Sequence, residues 1–138
     1  MELEIFTLCD YAVESQPGKL TFVGTFDTIF CQNIPVIHPS CSLALRLRVA
    51  NKEAGIHALE LIFQSPSGNE ISKIDGELEF RVNEFANYST TNFVINFGNL
   101  ELSELGTYTF ELRIDGEFMS GLSMHVTKID PSQIKKVA

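Results

Sequence analysis

Apolar and polar residues alternate with a period of two through most of this chain, and the alternation limits what it can fold into. Segment 40–51 has apolar residues at every second position, namely Cys41, Leu43, Leu45, Leu47 and Val49. Five further segments repeat the pattern, with expected inward residues Leu20, Phe22, Phe26 and Phe30; Ile74, Leu78, Phe80 and Val82; Phe93, Ile95 and Phe97; Tyr108, Phe110, Leu112 and Ile114; and Phe118, Leu122, Met124 and Val126. Because successive side chains of a strand point to opposite faces of a sheet, each segment is predicted to be a half-buried β-strand.

The first segment, LEIFTLCDYAV, departs from this alternation. Leu3 and Ile5 share one parity, whereas Phe6 and Leu8 share the other. Such a switch predicts a β-bulge or a strand that is buried on both faces. No stretch of helical length carries an apolar stripe of period 3.6. The sequence therefore predicts an all-β protein.

Aspartate–glycine pairs mark two expected reversals of the chain. Asp115-Gly116 predicts a two-residue hairpin, because a type I′ turn needs positive φ at both of its central positions. Asp75-Gly76 has the same chemistry and predicts a similar turn. Many short strands separated by such turns are typical of antiparallel sandwiches, in which each strand buries its apolar face against a second sheet.

The segment GTYTFELRIDG refines this prediction. Tyr108 follows Gly106 by two residues at the start of the penultimate predicted strand. This arrangement resembles the tyrosine corner of immunoglobulin-like sandwiches, in which the tyrosine hydroxyl bonds back to the preceding corner. The chain has no Trp and lacks the immunoglobulin cysteine pair. We therefore predict a single antiparallel immunoglobulin-like β-sandwich of about seven to nine strands.

Length and cysteine content predict one domain in a reducing compartment. The alternation ends after Val126, so residues 1–128 are predicted to form the sandwich and residues 129–138 a polar tail. The opening MELEIFTLCD carries acids where a secretory signal would have a basic stretch followed by an apolar run. Three cysteines, an odd number, do not form a disulfide framework. We expect a cytoplasmic protein.

The charge of the chain argues against two classes of partner. Its formal net charge is −8, and the 10 Lys and Arg residues are scattered. Binding to a phosphate backbone requires clustered Lys and Arg, and anionic lipid surfaces repel an acidic protein. We expect no nucleic-acid partner and no membrane partner.

The stretch CQNIPVIHPSC at residues 31–41 brings two thiols and an imidazole close together in sequence, at Cys31, His38 and Cys41. A metal site, a reactive thiol and a loop between strands are all compatible with it. Structural zinc sites draw four ligands from closely spaced pairs, and only His38 and Cys41 have such a spacing. Parity turns Cys41 inward, and Pro39 favours an extended loop conformation for the preceding His38. We favour the loop, with a metal site or a thiol- or metal-dependent enzyme centred on these three residues as the alternative.

Sequence signatures of catalysis are absent. The chain has no GxSxG elbow, no phosphate-binding loop, no dinucleotide fingerprint and no HExxH motif. Glu77 and Glu79 face the same side of one predicted strand, about 7 Å apart, but outward acids are common on solvated strands. We expect no catalytic residue, no cofactor and no enzymatic activity.

The arginines suggest a binding face. All four occupy outward positions of predicted strands: Arg46, Arg48, Arg81 and Arg113. If the strand of residues 40–49 lies beside the strand of residues 106–114, one exposed face collects Arg46, Arg48, Glu111, Arg113 and His125. Arginine is enriched at interfaces because its planar guanidinium pairs with carboxylates and its stem covers apolar surface. We hypothesise that this face binds a protein or an anionic ligand, and solvated strand faces are the plainer interpretation.

Four segments, EIFTLCDYA, GKLTFVGTFDTI, IPVIHPSCSLALRLRV and GTYTFELRIDGE, together resemble a family of short, uncharacterised bacterial single-domain proteins, a domain of unknown function. Members open with a FTLCD-type strand and carry an HP.C.LALRLR block, which includes His38 here. The resemblance extends over residues 2–126. It implies an immunoglobulin-like sandwich in the bacterial cytoplasm and transfers no catalytic residue.

These inferences combine into a binding or assembly module without catalysis. Its partner is expected to be another protein, or a second copy that pairs through a sheet edge. The first strand lies at the chain terminus and is expected to be an open edge of this kind.

Overall fold

The computed structural model of the chain is a sandwich of two β-sheets, and it describes residues 1–130 and 132. Within these residues the strands are β1 (Glu2–Gln16), β2 (Lys19–Thr25), β3 (Thr28–Cys31), β4 (Val36–Ala50), β5 (Gly55–Gln64), β6 (Glu70–Phe80), β7 (Tyr88–Leu102), β8 (Gly106–Ile114) and β9 (Glu117–Lys128). A short 3-10 turn, Asn51–Glu53, follows β4. The all-β prediction is confirmed.

The strands divide into a four-stranded sheet, sheet A, and a five-stranded sheet, sheet B. Sheet A has the order β2-β1-β4-β7, and sheet B has the order β3-β9-β8-β5-β6. Every pairing is antiparallel except that of β3 with β9, which is parallel. The prediction of a purely antiparallel sandwich is wrong at this pair. Side chains alternate alike in parallel and antiparallel strands, so the alternation carried no signal for it.

The first strand is an open edge over part of its length. β2 folds back along β1 in a hairpin and pairs with residues 9–16, whereas residues 2–7 pair with β4 alone. The predicted open edge at β1 is therefore limited to residues 2–7. Among the described residues, the edge strands are β2 and β7 in sheet A and β3 and β6 in sheet B.

The core lies between the two sheets and confirms the alternation where strands pair without interruption. The inward residues of β8 are all buried: Tyr108, Phe110, Leu112 and Ile114. The Tyr108 hydroxyl accepts a hydrogen bond from the Glu104 backbone N–H at 3.0 Å and donates to the Glu104 carbonyl at 3.2 Å. The tyrosine corner is thus present as predicted.

The irregular first strand has the predicted bulge. Its register against β4 shifts between Leu3 and Ile5. Beyond the bulge, Leu8 belongs to the main core, whereas Cys9 lies in a separate small apolar cluster with Ala12 and Ala44. β1 is therefore bulged and also buried on both faces over part of its length.

Three residues expected inside are exposed. Phe30 is 44% exposed, Val82 62% and Phe118 62%. Phe30 belongs to β3, where the chain has crossed to sheet B and Ile29 is buried instead. Val82 lies beyond the end of β6. A register shift between β8 and β9 places Phe118 opposite the outward-facing Arg113.

The two Asp-Gly pairs behave differently. Asp115 and Gly116 have φ of 53° and 79° and connect β8 to β9, so the predicted two-residue hairpin is confirmed. Asp75 and Gly76 lie inside β6, paired with β5, so the predicted turn there is wrong. Their neighbours continue the cross-strand pairing with β5, and this pairing outweighs the local turn preference.

The end of the chain lies mostly outside the described residues. The last strand ends at Lys128, and of the predicted tail, residues 131 and 133–138 lie outside the description. In the part that the structure describes, no helix is long and apolar enough to span a bilayer.

Candidate functional site

One end of the sandwich carries three connections, and we call it the loop end. It comprises residues 51–54, 81–87 and 115–116, which join β4 to β5, β6 to β7 and β8 to β9. The corresponding end of antibody variable domains carries the binding loops. Among the described residues, the large apolar side chain with the highest exposure, Phe85, also lies at this end.

The side chain of Asn51 holds the longest of these connections. Its Nδ2 donates hydrogen bonds to the backbone carbonyls of Asn83 at 3.0 Å and Ala86 at 2.9 Å. Its Oδ1 accepts one from the Asn83 N–H at 3.0 Å, and its own N–H donates to the Asn87 carbonyl at 3.1 Å. One asparagine thus satisfies four backbone groups of residues 81–87, which gives this loop a defined shape.

Phe85 stands at the tip of this loop. Its N–H donates to the Asn83 Oδ1 at 2.9 Å, which closes a local turn, while its side chain is 98% exposed. The loop therefore presents an aromatic ring to solvent on an ordered backbone. Other exposed apolar side chains lie at or beside the loop end: Ile56, Val82, Tyr88 and Phe118.

His57 links the other two loops of the loop end, residues 51–54 and 115–116. Its Nδ1 lies 2.6 Å from the Asp115 carboxylate, and its Nε2 lies 2.7 Å from the Glu53 carbonyl oxygen. Both partners are acceptors, so both ring nitrogens donate only when the imidazole is protonated. The hydrogen bond to Asp115 and then that to Glu53 raise the pKa of His57, while His57 lowers the pKa of Asp115. Through these two contacts, His57 links the β8–β9 hairpin to the 3-10 turn.

Two shallow depressions lie on either side of Glu53 at the loop end. One, of about 370 Å³, is lined by Arg48, Asn87 and Tyr88, and the other, of about 310 Å³, by His57, Asp115 and Phe118. Glu53 borders both and forms an ion pair with the Met1 amino group at 3.3 Å. Neither depression encloses a small molecule in the way that ligand pockets do.

The structure separates the thiols and the imidazole of residues 31–41. Cys31 lies on β3 of sheet B, whereas His38 and Cys41 lie on β4 of sheet A. His38 is thus part of a strand, and the connecting loop is limited to residues 32–35, so the predicted loop position of His38 is wrong. Among the described residues, no group of three or more His, Cys, Asp or Glu side chains is arranged to hold a metal ion.

The three cysteines are buried. All three are free thiols, and Cys41 faces the core as predicted. Burial raises the pKa of Cys41 to about 11 and also raises the pKa of Cys9. A thiol needs exposure and a lowered pKa to act as a nucleophile. The geometry therefore gives the alternative of a reactive thiol at Cys41 no support.

The arginine face does not exist as one surface. Arg46 and Arg48 lie on β4, and the strands that carry Glu111, Arg113 and His125 belong to the other sheet. The expected pairing of β4 with β8 is wrong, because β4 pairs with β1 and β7. The binding role of these five residues stays a prediction, now for two separate surfaces.

Arg46 and Arg48 are occupied by contacts within sheet A. Both pair with Glu4, at 3.0 and 2.5 Å. Arg46 also donates to the Gly18 carbonyl at 3.3 Å, which ties the tip of the β1–β2 hairpin to the outer face of the sheet. The Arg48 guanidinium lies 4.4 Å from the centre of the Tyr88 ring. These contacts organise the sheet surface and leave the two side chains less free to bind a ligand.

On sheet B, the other three residues also have partners. Arg113 pairs with Glu111 two residues away on the same strand, at 2.7 Å. His125 Nδ1 lies 2.9 Å from the hydroxyl of Thr107. This surface carries local polar pairs on a sheet face.

The sequence signals did not point to Phe85, Asn51 or their loop. Phe85 lies in the segment RVNEFANYS, which has no alternation and so produces no periodic pattern. The absence of alternation, with two asparagines around a lone aromatic residue, was the available signal of a shaped loop.

Strand order and corner together define the class of this protein. β4 and β7 share one sheet while β5, β8 and β9 share the other, as strands B and E and strands C, F and G do in immunoglobulin-like sandwiches. With Tyr108 in its corner, the chain is an immunoglobulin-like β-sandwich without the antibody cysteine pair. It belongs to the Family of unknown function (DUF6941), which matches residues 4–127. This match confirms the resemblance seen in the sequence.

The comparison with solved structures concerns the fold alone and not the function. The β-glucosidase from Listeria innocua, solved in complex with isofagomine, is similar over 91% of this chain with a TM-score of 0.52 and 8% identity. The chain spans only 16% of that enzyme's length. An immunoglobulin-like protein from Pseudomonas aeruginosa aligns over 92% of this chain and 98% of its own, with a TM-score of 0.45 and 14% identity. No curated protein matches the sequence.

Proposed function

We propose that this protein is a non-catalytic binding module that holds a protein partner at its loop end. The observation that carries the proposal is the Phe85 side chain, 98% exposed at the tip of a loop that Asn51 holds in shape. The proposal replaces the hypothesis of a single arginine face, whose residues lie on two sheets. The burial of all three thiols, the raised pKa of Cys41 and the lack of catalytic motifs support the non-catalytic part.

Phe85 has the properties of an interface anchor. Large aromatic side chains that fill a partner's pocket dominate the energetics of many interfaces. Such an anchor is most effective on an ordered loop, because less conformational entropy is then lost on binding. Val82 and Tyr88, exposed by 62% and 39%, flank the same loop and extend the apolar surface.

Charge indicates the chemistry of the partner. Acidic side chains occur in all three connections of the loop end, at Glu53, Glu84 and Asp115, and the whole chain carries a net charge of −8. A complementary partner has an apolar pocket for Phe85 surrounded by Lys and Arg. Opposite charges around such a contact accelerate association and exclude acidic competitors.

The test places a photo-crosslinking amino acid at position 85, with position 71 as the control. Ile71 is 47% exposed at the opposite end of the sandwich. We expect crosslinking in cells of the source organism to yield a specific protein from position 85 and not from position 71. Equal yields from both positions would argue against the loop end.

The quantitative test is the affinity of this protein for the partner that crosslinking identifies, purified separately. We expect Phe85→Ala to weaken binding by about 30-fold or more, as at an interface hot spot. Ile71→Ala is expected to leave the dissociation constant unchanged. Because Phe85 is almost fully exposed, its replacement should change the free energy of unfolding by less than about 0.5 kcal/mol. Full affinity in Phe85→Ala would refute the proposal.

A further inference from the structure

The four sheet edges in the described chain differ in how well they are protected. Edge strands expose unpaired backbone N–H and C=O groups, and proteins usually protect them with charges, irregularities or short length. β3 has only 4 residues, and β2 has 7 and begins with a lysine. β6 carries five charged residues, Glu70, Lys73, Asp75, Glu77 and Glu79. These three edges are protected. Interior strands also pair on one side only over part of their length, and the long stretches of this kind on β1, β4 and β9 are interrupted or charged: residues 2–7 of β1 by Glu2, Glu4 and a register shift, residues 36–41 of β4 by Pro39, and residues 117–124 of β9 by Glu117, Gly121 and a register shift.

The remaining edge, on β7, has no such protection over residues 88–97. This segment, YSTTNFVINF, contains no charged residue, no proline and no glycine. It pairs with β4 residue by residue from Tyr88 to Phe97 without a register shift. The pairing skips Asn99, which has a φ of 49°, and continues in the same register from Leu100 to Leu102. The free side of residues 88–97 is therefore a straight, uncharged template of ten residues, with unpaired backbone groups at alternate positions.

We propose that a second copy of this chain pairs with β7 edge to edge, antiparallel about a two-fold axis at Phe93. This is a second contact surface, independent of the loop end. Residues directly opposite each other in antiparallel strands point to the same face. An axis at Phe93 keeps inward-facing residues together, with Thr91 opposite Ile95 of the second copy, and places the two Phe93 rings beside each other. Sheet A then continues as one sheet of twice its width.

The charge pattern favours a second copy as the occupant. With the axis at Phe93, no like charges face each other over residues 88–98, because the strand has none there. Pairing of β6 with itself would bring its five charged residues close to their copies. The opposing factor is the net charge of −8 on each copy, and salt screens this repulsion. We therefore expect the dimer to become tighter as ionic strength rises.

The surface beside the edge also fits an added strand. A depression of about 380 Å³ runs along residues 89–92, with Pro17 and Gly18 on one side and Glu79 and Arg81 on the other. Two polar atoms of residues that line it, Ser89 Oγ and Asn92 Nδ2, are buried without a hydrogen-bond partner. By the two-fold axis, this depression receives the uncharged segment 94–97 of the second copy.

Sedimentation equilibrium and light scattering test the proposal on the whole protein. We expect the wild type to show twice the monomer mass of 15.4 kDa at high concentration, with association favoured by salt. Thr90→Lys and Thr90→Glu each add a charge within the edge, three residues from the proposed axis, and should raise the dissociation constant about tenfold or more. Thr90 lies opposite Arg48, whose Nε has no partner, so the glutamate has a hydrogen-bond donor close by.

The matched control is Ser72→Lys, which adds the same charge to the exposed edge strand β6. We expect this variant to dimerise as the wild type does. We also expect the β7 amides of residues 88–97 to become protected from hydrogen exchange as concentration rises, while Phe85→Ala leaves the dimer intact. Thermal unfolding of each variant checks that it is folded.

Three results would overturn the proposal. The first is a wild type that remains monomeric up to about 1 mM. The second is a dimer that folded Thr90→Lys and Thr90→Glu leave unchanged, since the contact would then lie elsewhere. The third is equal weakening by Ser72→Lys, which would show a general effect of charge.

Discussion

Replacement of Asn51 tests how the loop that carries Phe85 is held. Asn51→Ala removes the three side-chain hydrogen bonds to Asn83 and Ala86. Asn51→Asp has the same shape and keeps the acceptor for the Asn83 N–H. It also replaces a donor with a carboxylate oxygen that faces two carbonyl oxygens. The pair of variants therefore separates loss of the contacts from their conversion to repulsion.

The magnitude follows from the number and burial of these bonds. A net contribution of about 0.5–1.5 kcal/mol for each bond gives about 1.5–4.5 kcal/mol for all three. The bonds are only partly buried, so water replaces some of them when the side chain is removed. We therefore expect Asn51→Ala to lower the free energy of unfolding by about 2 kcal/mol, and Asn51→Asp by about as much or more. For a chain of 138 residues, 2 kcal/mol corresponds to a fall of about 7 °C in Tm.

Urea unfolding followed by far-ultraviolet circular dichroism measures this change, since the chain has no Trp. Hydrogen exchange at residues 81–87 reports the loop itself and is expected to accelerate in both variants. Asn33→Ala, in the exposed loop between β3 and β4, is the matched control and should stay within about 0.5 kcal/mol of the wild type. If Asn51→Ala also stayed within that range, with unchanged exchange, Asn51 would not be the residue that shapes the loop.

Three further predictions concern the corner, the charged histidine and the thiols. Tyr108→Phe leaves both backbone groups of Glu104 without their partner and should cost about 1–3 kcal/mol in urea unfolding, whereas an unchanged midpoint would show that packing alone holds the corner. Because the pKa of His57 is raised in the folded protein, the contribution of His57 to folding stability is complete below pH 6.5, the ordinary pKa of histidine. It is lost as the pH rises through the raised pKa. Because the pKa of Asp115 is lowered, the contribution of its carboxylate to folding stability stays complete above pH 3.8, the ordinary pKa of aspartate. The stability difference between the wild type and His57→Gln should thus be largest between pH 3.8 and 6.5 and shrink in alkaline solution, as thermal unfolding at several pH values would show. Burial, which raises the pKa of Cys41 to about 11, should make the native thiols react with an aromatic disulfide reagent far more slowly than those of the urea-unfolded chain.

Alternation predicted burial well wherever a strand pairs without interruption. Along β8 and most of β4, every inward position inferred from the sequence is buried. It failed where the register changes, because a shift of one residue exchanges the two faces of a strand. Phe118 lies next to such a shift, and Phe30 follows the passage of the chain from one sheet to the other.

Strand order and the candidate site were harder to predict. Which strand lies beside β4 depends on contacts between distant segments, and alternation holds no information on them. The same is true of Asn51, whose role depends on Asn83 and Ala86 more than thirty residues away. The role of Tyr108 could be predicted from the sequence because the tyrosine corner is a local motif with a recognisable spacing.

The parallel pairing of β3 with β9 has a consequence for the synthesis of this protein. Residues 28–31 find their partners only at residues 125–128, so residues 32–124 separate the two. While the ribosome is still translating the middle of the chain, this short strand has no sheet to join, and Ile29 and Cys31 remain accessible to chaperones. Contacts of such high sequence separation slow folding, and they favour completion after release over completion during translation.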